Sequence, residues 1–311
     1  MAESQLSTDE QVASLWSLGG LTIRELTRRV WRAIDQENLL GGAAELAFSY
    51  ILALFPFLIF LTAWFGIFAS HASALETNLL QHLSQALPPS AAQVISQTLD
   101  EVTAKAGGAK LTFGIVLTLW FASGGMSSMI STLNGAYQVR ETRSWFKARA
   151  IALALTVAIS VLIITALAAV LGGNYLATAM GTHFGLREVS ILGWRGAQVI
   201  IALGFVTLSY SLIYYFGPDL EEQHWYWITP GSIIGVVLWV AASLGFRAYL
   251  HFFNTYSKTY GSLGAAMILL IWLYITGLAF LIGGEINAQI EHAAALRGHP
   301  EAKAPGEKKT A

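Results

Sequence analysis

Cysteine is absent from the 311-residue chain. That excludes disulfides, thiolate metal sites and a cysteine nucleophile, and leaves the compartment open. Charge is scarce as well: Asp, Glu, Lys and Arg make up 12% of residues, against roughly 25% in soluble domains. A net charge of −1 gives no whole-chain attraction for nucleic acid. The seven histidines are scattered, with no HExxH or other metal-ligand spacing. GxSxG, GxGxxG and GxxxxGK are missing too. Most acidic residues fall in tails and loops, so the clustered carboxylates of a metal-dependent nuclease are lacking. The expectation is no enzyme, no metal and no cofactor. The N-terminus, MAESQLSTDEQVASLW, lacks the basic and short apolar regions of a cleaved signal peptide, so the first span is expected to serve as the insertion signal.

What the chain has in abundance is apolar surface. Hydrophobic residues make up 55%, with ten Trp, eleven Tyr and sixteen Phe, and mean hydropathy is +0.55. The dominant run is Gly41–Ala69, GGAAELAFSYILALFPFLIFLTAWFGIFA. From Ala43 onward it holds one charge, Glu45, and one proline, Pro56. As a helix it would extend roughly 40 Å, more than the roughly 30 Å of bilayer hydrocarbon. It reads as a tilted or bent span.

Five more runs follow, giving spans at about 43–69, 111–133, 150–172, 197–216, 231–253 and 263–286. The expected fold is therefore all-α, a polytopic membrane protein with six transmembrane helices over residues 43–290. Residues 1–20 read as a flexible tail, and residues 291–311 as a disordered cytoplasmic one. Residues 21–37 form an amphipathic helix with Leu21, Ile23, Leu26, Val30, Trp31 and Ile34 on one side and four arginines on the other. It either lies in the membrane interface or packs on the ends of the spans. Ser70–Lys110 reads as a helical hairpin beyond the membrane, broken at Pro88–Pro89. Asn174–Trp194 is expected as a second loop on that side, and Asn254–Ser262 as a tight polar turn. With both termini inside, twelve lysines and arginines fall on the cytoplasmic side and five outside, which fixes the orientation.

Candidate residues for a substrate or ion path are those whose polarity is costly in a membrane. Glu45 and Glu285 sit at the cytoplasmic ends of the first and last spans, where they form either a proton- or cation-binding gate or a structural clamp with Arg140, Arg143 or Arg149. Ser49 and Tyr50 share the first span with Pro56, a kink or a hinge. Ser127, Ser128, Ser131 and Asn134 put a small, polar face on the second span, suited to close packing or to a cavity wall. Such a face can pack within one chain or between copies in a homo-oligomer. Arg247 lies near the outer end of the fifth span, where it either snorkels or attracts an anionic headgroup. Tyr274 shares a side of the sixth span with Glu285, and Asn287 follows. Arg140, Arg143, Lys147 and Arg149 form a basic loop suited to anionic lipids at the cytoplasmic face of the bilayer.

Four stretches, read together, resemble the YihY/BrkB family of bacterial inner-membrane proteins. They are AFSYILALFPFLIFL (47–61), NGAYQVRETRSWFKAR (134–149), TPGSIIGVVLWVAASLGFRAYL (229–250) and TYGSLGAAMILLIWLYITGLAFLIGGEINA (259–288). The resemblance covers roughly residues 20–292. It implies six helices and a bacterial inner-membrane address. It also implies a family once labelled as a ribonuclease, a label since regarded as mistaken, and associated with virulence, envelope lipid export and transport. The chain departs from the family in the acidic loop at 217–227, where a more basic loop would be usual. Residues and resemblance together favour a translocator or flippase-like transporter of an amphipathic or anionic substrate, such as an envelope lipid. A scaffold for envelope assembly is the alternative, and a membrane-bound ribonuclease the remote one.

Overall fold

The computed structural model describes residues 16–67, 108–184, 187–221, 228–252, 256–298 and 302–308. Among them every long element is an α-helix. Thr22 opens the first: its hydroxyl accepts the Glu25 N–H at 3.3 Å, and Glu25 adds a negative charge to the first turn, where the helix dipole favours one. Helix α1 runs Ile23–Gln36 and gives way at Asn38, whose φ of 51° is a left-handed conformation that asparagine tolerates. Then come α2 (Leu39–Ile67), α3 (Gly108–Ala136), α4 (Trp145–Phe184), α5 (Arg187–Phe216), α6 (Pro230–Phe252) and α7 (Tyr256–Leu296).

Four of these carry stretches long and apolar enough to cross a membrane: Trp145–Ala166, Gly196–Phe216, Pro230–His251 and Gly264–Leu296. A shorter apolar stretch, Leu39–Leu54, lies in α2. Large apolar side chains stay exposed along these helices, among them Val161, Ile164, Ile200, Val237, Leu244 and Met267. No soluble surface would place so many there, whereas lipid accepts them.

The core joins α2, α3, α4, α5 and α7 through Leu46, Ile130, Leu133, Leu155, Ile213, Tyr214 and Phe280. A second cluster sets Leu21, Leu26 and Val30 against Ile286, Ile290 and Ala293 of α7. The apolar face of α1 is thus covered by protein, while Ile23 and Trp31 remain exposed. Its apolar face packs on the end of a span, as one of the two expected placements has it.

Several boundaries differ from expectation, for a common reason. Hydropathy marks the lipid-contacting part of a helix, whereas hydrogen bonding carries the helix on into polar sequence. Asn174–Trp194, expected as a loop, is helical on both sides of residues 185–186. The tight turn expected at Asn254–Ser262 is already α7 from Tyr256. At its other end α7 runs to Leu296, because AQIEHAAAL is rich in good helix formers. Its 41 residues extend about 60 Å at 1.5 Å per residue.

Neither tail is wholly loose. Residues 1–15 lie outside the described residues, but Gly19 is buried on α7 in the 3-10 turn Leu18–Gly20. The expected disorder of 291–311 is corrected likewise: Glu291–Leu296 is helix, and the described segment 302–308 is docked with Lys303 2% exposed. The hairpin expected within Ser70–Lys110 falls outside the described residues, apart from the start of α3.

Helices α6 and α7 meet backbone to backbone. A Cβ on Gly231 would run into the Gly283 carbonyl oxygen and the Asn287 amide; one on Gly283 would meet the Tyr214 hydroxyl and the Gly231 carbonyl. Small residues permit such contact between membrane helices. Gly245, further along α6, has nothing within 4 Å of its Cβ position. Gly231→Ala should therefore destabilise the purified protein by about 1–3 kcal/mol, read as a lowered thermal-unfolding midpoint in detergent, while Gly245→Ala leaves that midpoint in place.

Candidate functional site

Three polar groupings stand on this frame. The first starts from Asn134, 4% exposed at the end of α3. Its amide donates to Glu141 at 3.0 Å, and its carbonyl accepts the Asp219 N–H at 2.7 Å. Arg143 donates to Glu141 at 2.7 and 2.6 Å and to the Gly217 carbonyl at 3.0 Å, and lies 3.5 Å from Asp219. Asp219 accepts from the Thr142 N–H and hydroxyl, both at 2.8 Å, and from Lys308. Backbone bonds complete the tie: Gly306 N–H to the Tyr137 carbonyl at 3.2 Å, and Glu221 N–H to the Lys308 carbonyl at 2.8 Å. One side chain thus links the α3–α4 connection, the α5–α6 connection and the C-terminal segment.

Charge in this grouping is matched. Hydrogen bonds from Arg143 hold Glu141 below its ordinary value against the effect of desolvation. Desolvation acts to raise Asp219, but hydrogen bonds from Lys308 and Thr142 and the charge of Arg143 outweigh it and lower the carboxyl to about 2. Tyr137 moves well above its usual value through burial and the nearby charges of Glu291 and Glu285, so it stays a neutral phenol.

The second grouping lies between α2, α3 and α4. Ser49 and Ser128 share a hydrogen bond at 3.2 Å, and Tyr50 packs beside Gly125. Ser127 donates to the Ser123 carbonyl at 2.9 Å. Arg149 reaches this face from α4. Its guanidinium stacks over the Trp120 ring at 4.3 Å, donates to the Trp120 carbonyl at 2.7 Å and meets the Ser127 hydroxyl at 3.4 Å. Its Nε is buried without a partner among the described residues. Trp145 and Phe146, 62% and 78% exposed, stand one turn earlier on α4, and such aromatics favour the level of lipid headgroups. Arg149 follows them by one turn of α4.

The third is on α7. Glu285 is fully buried; Oε1 accepts from Gln289 at 2.8 Å, while Oε2 has no partner among the described residues. Asn287 is occupied structurally, accepting the Gly231 N–H and donating to Thr229, both at 2.9 Å.

The expected meeting of Glu45 and Glu285 does not occur. Gly277 abuts Leu46, and Leu281 abuts Gly42, so the helices are antiparallel and Glu45 lies about two turns from the level of Glu285. Glu45 is exposed, and the charged neighbour of Glu285 is Glu37. The clamp with Arg140, Arg143 or Arg149 is not found either, since Arg143 and Arg149 have the partners above and Arg140 is exposed. Ser131, Lys147 and Arg247 are also exposed, and Tyr274 is half-buried against the core. The helix α2 is continuous through Pro56, whose side chain lies outside the described residues. Sequence reading passed over Asp219, Thr142, Lys308, Trp120, Gln289 and His292. For the last two a signal was available: they fall four and seven residues after Glu285, on one helical face.

Because the Asp219 carboxyl drops from 3.8 to about 2 in the folded protein, its contribution is complete above its ordinary value and disappears as pH falls through its folded value. Limited proteolysis should find residues 302–308 protected at neutral pH and released between about pH 4 and pH 2. Asp219→Asn should expose the segment at neutral pH and cost about 1–2 kcal/mol of thermal stability.

Comparison with known proteins agrees with this architecture. The family described as virulence factor BrkB matches residues 30–307. The ribonuclease-like protein YfkH of Bacillus subtilis is 30% identical over 246 residues, covering 79% of this chain and 88% of that protein. A UPF0761 membrane protein of Laribacter hongkongensis is 28% identical over 85% of this chain and 60% of its own length. Another, from Stenotrophomonas maltophilia, is 25% identical over 88% and 62% respectively. The chain spans about three-fifths of the length of these two UPF0761 relatives. No solved structure matches it. An apolar, all-helical chain matched from residue 30 to residue 307 by one family is a multi-pass membrane protein, and it belongs to the BrkB virulence factor family.

Proposed function

We propose that the protein is a translocator of an anionic, amphipathic molecule, an envelope lipid being the chemistry that fits best, and that it is not an enzyme. In this reading the bundle has six spans with both termini cytoplasmic, and anionic lipid is its partner at that face. The observation that carries it is Arg149. A guanidinium one turn inside the headgroup level is costly unless it has partners. Here Trp120 and Ser127 hold it on the polar face of α3, with its Nε–H lacking a partner among the described residues. A planar cation so held suits a phosphate or carboxylate headgroup, and the exposed apolar surface beside it suits the tails. Arg143, by contrast, is engaged by Glu141 and Asp219 and is assigned no headgroup.

The name of the Bacillus relative raises a nuclease reading, but among the described residues no group of three metal-binding side chains forms, and the polar grouping around Asp219 is charge-matched. The test is reconstitution in liposomes with labelled lipids. Wild-type protein should move an anionic lipid between leaflets faster than empty liposomes do. Arg149→Ala should slow this tenfold or more, Arg149→Lys should restore part of it, and Arg140→Ala should stay within twofold. Flux equal to that of empty liposomes, or an unaffected Arg149→Ala variant, would sink the proposal.

A further inference from the structure

Of the three buried polar atoms on α7 that lack partners among the described residues, Thr276 Oγ1 stands apart, and two lie toward the C-terminal end of the helix: Oε2 of Glu285 and Nε2 of His292. Seven residues apart, they lie on one face of the helix about 10 Å along its axis, with Gln289 between them bonded to the Glu285 carboxylate at 2.8 Å. Both residues are 3% exposed or less. Tyr137 packs against this face, its ring edge-on to His292 with centroids 6.2 Å apart.

Other charges approach from every side. Glu37, at the end of α1, is the charged neighbour of Glu285 and accepts from Gln138 at 2.9 Å. Arg29 of α1 is the charged neighbour of His292. Glu291 and Glu285 both act on Tyr137, and Lys303 of the docked C-terminal segment stands 4.0 Å from Glu291. Buried polar atoms ordinarily find partners. Among the described residues no cation is seen acting on Glu285, and a buried ionised carboxylate without one is expensive, whereas a protonated one costs far less.

We propose that Glu285 binds an exchangeable proton, and that His292 is a second acceptor on the same face, with Tyr137 and the docked segment closing the site. The proton forms an O–H bond at the carboxylate Oε2 and leaves to solvent, with no other bond made or broken. A sodium ion would need about six oxygen ligands, and an imidazole nitrogen is a poor one for so hard a cation. The site stands independently of what the protein moves, so a failure of lipid transport leaves it intact.

Infrared difference spectroscopy on the full chain, purified in lipid nanodiscs and stepped between acidic and alkaline buffer, tests it. Wild-type protein should show the carbonyl band of a buried protonated carboxyl that disappears on the alkaline side. Glu285→Gln should abolish that band. Tyr137→Phe, which keeps the ring against His292, should keep the band and shift its frequency. Exchanging sodium for potassium should leave its midpoint unchanged. The proposal is overturned by a band that survives Glu285→Gln, by one that Tyr137→Phe does not move, or by a midpoint that follows sodium concentration.

Discussion

Everything in this bundle depends on how closely α6 can approach α7. Neither Gly231 nor Gly283 carries a Cβ, so the two backbones touch. That contact lets the Asn287 side chain reach the first turn of α6, where it supplies an acceptor to a backbone N–H that no helix can satisfy internally. Thr229 and Ser232 complete the start, the Ser232 N–H donating to Thr229 at 3.1 Å and the Thr229 N–H to Ser232 at 3.0 Å. Tyr214 of α5 joins them, donating to the Phe280 carbonyl at 2.5 Å. In a lipid environment, where stray backbone groups find no water, such economy of polar contacts is a condition of stability.

The polar end obeys the same rule by another route. Asn134 has an amide that donates and a carbonyl that accepts, and it uses both to join segments far apart in sequence. Around it, Glu141 and Asp219 are balanced by Arg143 and Lys308. Asp219, at the start of the acidic loop, thereby has its cations supplied from within: one by the basic loop, one by the C-terminal segment. A grouping balanced in this way holds the structure together and leaves little charge for a ligand. Arg149 and Glu285 differ in having an atom without a partner among the described residues.

Much of the frame was legible in the residues. Apolar runs located the long helices, the periodicity of residues 21–37 located α1, and the serines of α3 marked a polar face that does meet α2 and α4. Helix ends were not legible, because a membrane helix stops being apolar before it stops being helical. Glu45 and Glu285 were expected at one level because each ends an apolar run. The true register follows from Gly42 and Gly277, small residues whose neighbours no periodicity names. Arg149 looked like one of four equivalent loop cations, and only the crossing of α4 over Trp120 separates it from Arg140 and Lys147. The docking of Lys308 on Asp219 joins residues 89 positions apart, a distance at which single-sequence patterns carry no information.

The length of α7 has a mechanical consequence. About 60 Å of unbroken helix is gripped along its middle by α2 and α6 and carries α1, the Leu18–Gly20 turn and the C-terminal segment at its far end. An element of that kind is a lever. A rocking of about 5° about the glycine contact would swing the far end, about 20 Å away, through roughly 2 Å, taking the cap of the bundle with it while the grip itself scarcely moved.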